Sequence, residues 1–254
     1  MLGPVWMPGG SKSVRCFPAK STRDGPSGAD QIDRELGAQL RFDKLRDAAH
    51  PAMKQRPLFP DATATHGLVV PQGLRYQAEF ITEEEEEALA EALGQLPLRP
   101  FEFHGYTGNR RVLSFGLRYD YSRRGVEPAA SAPPFLDVLR GRVAEFAVCD
   151  PEEIRQIGIN EYRPGAGIGW HKDKPEFGDV IGVSLLSDVR VRFRQRSAGG
   201  WSRAFQLLAA RSAYIMSGEV RENWEHSIAP VASLRYSITF RTLALKAMRP
   251  PGAS

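Results

Sequence analysis

Cysteine is scarce: Cys16 and Cys149 are the two in 254 residues. Far apart in sequence, they can build neither a disulfide framework nor a thiolate-rich metal site, and such usage fits a reducing compartment. No apolar run approaches the roughly 18 residues of a membrane span. The N-terminus shows no apolar stretch of a secretory signal, and its acidic residues argue against a transit peptide. The expectation is a cytoplasmic monomer with no membrane partner. Excess charge is also modest. A net charge of +4 and a pI near 9.2 are ordinary surface chemistry that permits nucleic-acid binding without demanding it.

What is present falls into segments. Residues 1–52 mix Gly, Pro, Ser and charges of both signs without periodicity, except for an amphipathic stretch at Ile32–Leu45, and read as a disordered or loosely attached tail. Met53 is a candidate start of the folded domain, and residues 53–153 form an N-terminal extension. Within it, Leu68–Val70 and Leu74–Phe80 read as strands, and Thr82 caps a helix from Glu83 to Leu96 whose acidic run Glu83–Glu87 reads as a solvated first turn. After Pro97 the chain turns polar and irregular until a second helix over Pro133–Ala147. From residue 154 to 243 short β-rich runs take over, at Gln156–Tyr162, Asp179–Leu185, Val189–Gln195, Ala204–Leu208, Ala213–Met216 and Leu234–Thr242. Residues 244–254 form a C-terminal tail. Helices first and antiparallel strands after them predict an α+β fold with a barrel or jelly roll.

The chemistry centres on Trp170-His171-Lys172-Asp173. In an extended segment His171 and Asp173 share a face, and a second histidine stands at His226. Two imidazoles and one carboxylate on one side of a metal leave open positions, which suits non-haem Fe(II). Five histidines in the chain make this pattern weak by itself. The strand Arg235-Tyr236-Ser237-Ile238-Thr239-Phe240-Arg241 strengthens it. Period two puts Arg235, Ser237, Thr239 and Arg241 on one face, with the two arginine Cα atoms about 20 Å apart. Buried guanidinium groups need anionic partners, and a short dicarboxylate fits between them. Asn160 and Tyr162, again two apart, can donate to the same carboxylates. The run from Arg163 to Gly169 reads as a flexible turn leading to His171.

Taken together, Asn160-x-Tyr162-x-Pro164-Gly165, His171-x-Asp173, His226 and Arg235-x5-Arg241 resemble the AlkB family of 2-oxoglutarate oxygenases in order and spacing, over about residues 154–243. The resemblance implies a double-stranded β-helix with a nucleotide-recognition lid, and Fe(II) bound by His171, Asp173 and His226. It implies 2-oxoglutarate chelating that metal, its distal carboxylate held by Arg235 and Tyr162. Asn160 and Arg241 would serve the metal-proximal end, with Ser237 as a further polar contact. The implied reaction consumes O2 and 2-oxoglutarate and hydroxylates an N-methyl group, releasing formaldehyde, succinate and CO2.

Alkylated DNA or RNA is the implied partner. Rings and arginines interleave between Phe101 and Arg124, and Tyr106, Arg110, Arg111, Arg118 and Tyr119, with Trp170, are candidate substrate contacts. Arg190, Arg192, Arg194 and Arg196 line one face of a strand; such rows are usually solvated, with a phosphate track as the alternative. DNA-repair members of the family carry a second acid shortly after HxD. Here Pro175 stands two positions after Asp173, leaving Glu176 or Asp179 as substitutes and arguing against 1-methyladenine and 3-methylcytosine. Three other functions compete: hydroxylation of a modified tRNA base or a protein side chain, a non-catalytic nucleic-acid-binding module, and a cupin-type metal hydrolase. The paired arginines count against the hydrolase.

Overall fold

Alternation along the long strands creates two apolar faces, and the chain covers both. The computed structural model describes residues 70–103 and 106–244 (backbone only at positions 103 and 106). In chain order they form β1 (Leu74–Gln77), α1 (Glu83–Gly94), β2 (Arg99–Phe103), β3 (Tyr106–Phe115), β4 (Leu117–Asp120), β5 (Gly125–Pro128) and α2 (Phe135–Ala147). A 3-10 turn at Pro151–Glu153 precedes β6 (Ile154–Tyr162), β7 (Ile168–His171), β8 (Phe177–Leu185), β9 (Val189–Ser197), β10 (Gly200–Leu208) and β11 (Ser212–Met216). Helix α3 (Gly218–Asn223), β12 (Glu225–Ile228) and β13 (Arg235–Leu243) complete the order. Seven strands pair as β1-β11-β8-β13-β6-β3-β2, four as β10-β9-β12-β7, and β4-β5 is a separate hairpin. All pairings are antiparallel. The architecture is an α+β jelly roll.

Strand β13 shows how one segment serves two cores. Tyr236, Ile238 and Phe240 point to the helix side, where they join Ile157, Ile159, Ile181 and Val183 beneath Leu89 and Leu93 of α1 and Leu136, Leu139 and Val143 of α2. Each fully buried leucine there contributes roughly 1.5–3 kcal/mol relative to exposure. On the opposite side of the large sheet a second core, including Val180, Val191, Phe193, Tyr214, Trp224 and Ile228, fills the space against the four-stranded sheet. The polar members of β13 face this second space.

Helix α1 begins in a capping box: the Glu85 N–H donates to Thr82 Oγ1 at 3.2 Å, and the Thr82 N–H donates to Glu85 Oε2 at 2.9 Å. The acidic run is solvated at Glu83, Glu84 and Glu87 but not at its middle. Glu85 and Glu86 are buried. Glu85 accepts from Arg142 of α2 at 2.6 and 2.8 Å. Glu86 accepts from the Leu186 N–H at 2.7 Å and from Arg211 at 3.4 Å. Their partners lie far along the chain, which local periodicity cannot register.

The stretch read as irregular after Pro97 also differs, since it holds β2, β3 and the β4-β5 hairpin. Its pairing is non-local: β3 lies against β6, with Val112 opposite Asn160. Strands β1, β2 and β3 therefore extend the same sheet as the segment after residue 154. Strand β1 stops at Gln77, short of the expected Phe80, where Glu79 takes a positive φ of 48°. The Arg163–Gly169 turn is shorter than expected because β7 begins at Ile168. The strand expected at Leu68–Val70 lies outside the described residues except for Val70, which is not in a strand. The tail at 1–52 with its Ile32–Leu45 helix, Met53, and residues 245–254 lie outside them as well. Among the described residues no helix is long and apolar enough to cross a membrane.

Gly182, in the middle of β8, sits opposite Tyr214 of β11, and a Cβ there would run into the Tyr214 ring. Gly182→Ala is expected to cost about 1–3 kcal/mol by overpacking, measured by urea unfolding. Combined with Tyr214→Ala, the added cost should shrink, because the two sites share one space.

Candidate active site

Inside the sandwich, a pocket partly open to solvent is lined by residues from both sheets. From the large sheet come Asn160 and Tyr162 of β6, Val180 of β8, Tyr214 and Met216 of β11, and Ser237, Thr239 and Arg241 of β13. His171, Asp173, His226, Ile168, Val191 and Ile228 enter from the other side, and Arg110 reaches in from β3.

Pairing of β7 with β12 places His171 opposite His226, with ring centroids 4.2 Å apart. His226 Nε2 stands 3.7 Å from Asp173 Oδ2. Among the described residues no three His, Cys, Asp or Glu side chains close into a compact ligand group; these three face one another across the distances given. The chemistry of the donor set suits Fe(II). Burial lowers the pKa of both imidazoles, that of His226 to about 3, so both are neutral and keep a lone pair near pH 7. His171 Nδ1 lies 2.9 Å from the Gly169 carbonyl, which assigns the proton to Nδ1 and leaves Nε2 for a metal. Burial works against the Asp173 carboxylate, but the cations around it, led by Arg241, hold its pKa well below the usual range.

Arg241 donates to Asp173 Oδ1 at 3.2 Å, to Gln156 Oε1 at 3.0 Å and to Thr239 Oγ1 at 2.9 Å. Gly158 makes this possible: a Cβ there would stand 2.8 Å from Thr239 Oγ1 and 3.1 Å from Arg241 Nη1. Arg221 of α3 is a further residue of the site. Buried there, it donates to the carbonyls of Lys174 (2.5 Å), Phe177 (2.7 Å), Gly178 (2.9 Å) and Asp173 (3.4 Å). One guanidinium thus pins the whole loop that follows Asp173. Only the short helix α3 brings it there, and no sequence spacing signals it.

Arg235 does not line the pocket itself but lies against Tyr162 and Tyr214, which do. It is 1% exposed, and its Nε and Nη1 have no hydrogen-bond partner. Its guanidinium carbon lies 5.2 Å from the centre of the Tyr162 ring. Burial lowers its pKa, and burial raises that of neighbouring Tyr214 to about 12. An uncompensated guanidinium in an apolar interior is costly. A carboxylate entering from the pocket satisfies it through charge-assisted bonds. The residues present therefore fit a dicarboxylate such as 2-oxoglutarate.

The candidate substrate contacts divide. Arg110 lines the pocket, its guanidinium 4.1 Å from the Phe101 ring centre. Tyr119 packs edge-on against Tyr121 at 5.0 Å, and Lys174 Nζ stands 4.6 and 4.7 Å from the two ring centres. Three other candidates are turned away from the pocket. Arg111 pairs with buried Glu161 at 3.1 Å and with the Leu98 carbonyl at 2.9 Å. Arg118 pairs with Glu127 across the β4-β5 hairpin at 2.6 Å. Trp170, one position before His171, falls on the opposite face of β7, between Arg192 and Arg194 of β9. The side chain of Tyr106 lies outside the described residues. Neither Glu176 nor Asp179 lines the pocket.

Two outcomes are expected. Arg235→Leu should leave thermal stability unchanged or raised in the absence of a dicarboxylate, since it removes an unpaired buried charge. The wild type alone should gain melting temperature when 2-oxoglutarate is added. Arg221→Gln should lower metal affinity roughly 10–100-fold by releasing the Asp173 loop, read by titration of the intact protein with Fe(II) or Mn(II).

A family model described as the 2OG-Fe(II) oxygenase superfamily matches residues 73–241. The chain is 29% identical over 167 residues to the mouse (Mus musculus) tRNA (carboxymethyluridine(34)-5-O)-methyltransferase ALKBH8, covering 63% of this chain and 25% of that protein. It is 26% identical over 182 residues to the Arabidopsis thaliana Alkylated DNA repair protein ALKBH8 homolog, covering 61% of this chain and 50% of that one. The chain thus spans about a quarter of the length of the mouse protein and half that of the plant one. The solved structure of OsALKBH1 shares the fold, with a TM-score of 0.50 and 16% identity over 68% of this chain and all of that one. A jelly roll with two histidines and an aspartate at its pocket, and a match over most of its described length, lead to one assignment: the chain belongs to the 2OG-Fe(II) oxygenase superfamily.

Proposed function

We propose that this chain oxidises a modified base carried by DNA or RNA, using Fe(II), 2-oxoglutarate and O2. The observation that carries this reading is Arg235, buried without a full set of partners against Tyr162 and Tyr214, two residues of the pocket that His171, Asp173 and His226 also line. Those three side chains would hold the metal. Arg235 and Tyr162 would hold the far carboxylate of 2-oxoglutarate, with Asn160, Ser237 and Arg241 at its near end. When bound, the pair supplies oxidation of a C–H bond by O2, coupled to conversion of 2-oxoglutarate to succinate and CO2. The protein's own part is placement and exclusion of water. Arg241 keeps Asp173 ionised and oriented, Arg221 fixes the loop behind it, and Val180, Val191, Met216 and Ile228 give the pocket a dry wall.

Arg110 of the pocket lining, and Lys174 of the segment after Asp173, packed over Tyr119 and Tyr121, offer cations and ring faces, the groups that receive phosphates and an extruded base. Hydroxylation of an N-methyl group gives a product that sheds formaldehyde. The reaction is then oxidative N-demethylation, a direct reversal of alkylation damage. A second reading is hydroxylation of a modified tRNA base that keeps its new oxygen. The pocket favours it in one respect: neither Glu176 nor Asp179 lines it to receive the exocyclic amine of a cationic methylated base. The mouse relative's name, which refers to a tRNA uridine, points the same way.

Incubation of methylated oligonucleotides and total tRNA with the full chain, Fe(II) and 2-oxoglutarate, followed by mass spectrometry of nucleosides, tests both readings. Loss of a methylene supports demethylation, and gain of an oxygen supports hydroxylation. Asp173→Ala should abolish either change while its melting temperature confirms the fold. No change on any base, with 2-oxoglutarate still consumed, would remove the nucleic-acid reading.

A further inference from the structure

The four-stranded sheet has a second face, turned away from the pocket. On β9, Arg190, Arg192, Arg194 and Arg196 all point outward, while Val189, Val191 and Phe193 between them are buried. Antiparallel pairing sets Leu207, Phe205, Arg203 and Trp201 of β10 opposite these four in turn. Trp170 comes up beside them from β7. The aromatic and cationic groups interleave. Trp170 has the Arg192 and Arg194 guanidinium groups at 5.2 and 4.3 Å, Trp201 has Arg194 and Arg196 at 4.4 and 5.5 Å, and Phe205 has Arg190 at 4.6 Å.

This face is not balanced in charge. Among the described residues, Glu225 is the one carboxylate in an ion pair with the row, bonded to Arg194 at 2.5 Å. Arg203 stands directly opposite Arg194, and like charges in that cross-strand position are destabilising. The face also exposes Trp201, Phe205 and Leu207 at 37%, 43% and 49%. A solvated row of arginines needs no exposed tryptophan, and an apolar contact patch needs no five arginines. Both together suit a partner with anionic groups at regular intervals and flat rings between them. Outward positions on one strand recur about every 6.7 Å, so the guanidinium groups form a linear track rather than a point site. The track is also joined to the active site. Trp170 and Glu225 immediately precede His171 and His226, and β7 is an edge strand of this sheet, so the track and the two histidines lie on opposite faces of the same sheet.

We infer that this outer face is a docking track for single-stranded nucleic acid, gripping the strand that flanks the base in the pocket. The inference rests on the proposed action on nucleic acid. Phosphates pair with Arg190, Arg196 and Arg203, which have no carboxylate partner among the described residues. Bases stack on Trp201 and Phe205.

The test is fluorescence anisotropy of labelled single-stranded RNA and DNA oligonucleotides with the full chain, without iron or 2-oxoglutarate, at several salt concentrations. The triple variant Arg190→Gln/Arg196→Gln/Arg203→Gln should bind more weakly, with a salt slope shallower by about two, since each phosphate contact contributes about 0.7. Trp201→Ala should weaken binding at least roughly fivefold. Both variants should stay folded, the triple variant melting no lower than wild type because it removes the Arg203–Arg194 repulsion, and both should keep 2-oxoglutarate turnover, as none of these residues lines the pocket. Equal affinity and slope in wild type and triple variant would overturn the track and leave the base-oxidation reading standing. Polyglutamate competing as strongly as the oligonucleotide would overturn it in favour of an acidic protein partner. Weakened binding in the variants, beside a wild type that oxidises no base, would keep the track and remove the base-oxidation reading.

Discussion

Arg235 carries a guanidinium into the interior of a β-sandwich and leaves two of its nitrogens without partners. Such a charge costs several kcal/mol of solvation unless something anionic returns it. The surrounding side chains do not: Tyr162 and Tyr214 are the neighbours that act on it, and burial holds the Tyr214 phenol well above its ordinary range. Arg241, at the other end of the same strand, is in contrast paired with Asp173. One strand therefore offers one engaged and one waiting cation, with Ser237 and Thr239 between them. The rest of the interior is arranged around that asymmetry. Gly182 leaves room for the Tyr214 ring, and Gly158 leaves room for Arg241.

The histidines and the aspartate gain their meaning from the sheet that holds them. Strands β7 and β12 are only four residues each, yet their pairing sets His171 against His226. Asp173 lies beyond the end of β7, in a loop with no sheet bonds of its own to hold it. Arg221 supplies that constraint through four backbone carbonyls. Position at the metal-ligand candidates is thus set by strand register on one side and by a single buried cation on the other.

Much of this was legible in the sequence because period-two alternation is a local rule. It placed Arg235, Ser237, Thr239 and Arg241 on one face, and Asn160 with Tyr162. It also paired His171 with Asp173, although β7 ends at His171 and the strand rule does not reach the aspartate. Long apolar elements such as α1, α2, β6 and β13 were legible for the same reason. What stayed hidden depends on distant partners. Glu85 and Glu86 look solvated until Arg142 and Arg211 arrive from elsewhere in the chain. Strands β2 to β5 have too few apolar residues to announce themselves, and pairing with β6 and with each other makes them strands. Arg111 and Arg118 looked like phosphate contacts, and carboxylates across neighbouring strands engage them instead. Trp170 follows the alternation rule and lies outside for that very reason: the face that gives His171 to the pocket gives its neighbour to solvent.

The central claim is that Fe(II) and 2-oxoglutarate share one pocket whose polar groups stand ready for both. Anaerobic titration of the Fe(II)-loaded full chain with 2-oxoglutarate tests it most directly, through the visible charge-transfer absorption of a 2-oxo acid chelated to Fe(II). The account predicts a band that saturates at one equivalent of 2-oxoglutarate per chain and is absent in His226→Ala. Failure of the band to form in wild-type protein that has taken up iron, or its persistence without His226, would contradict it.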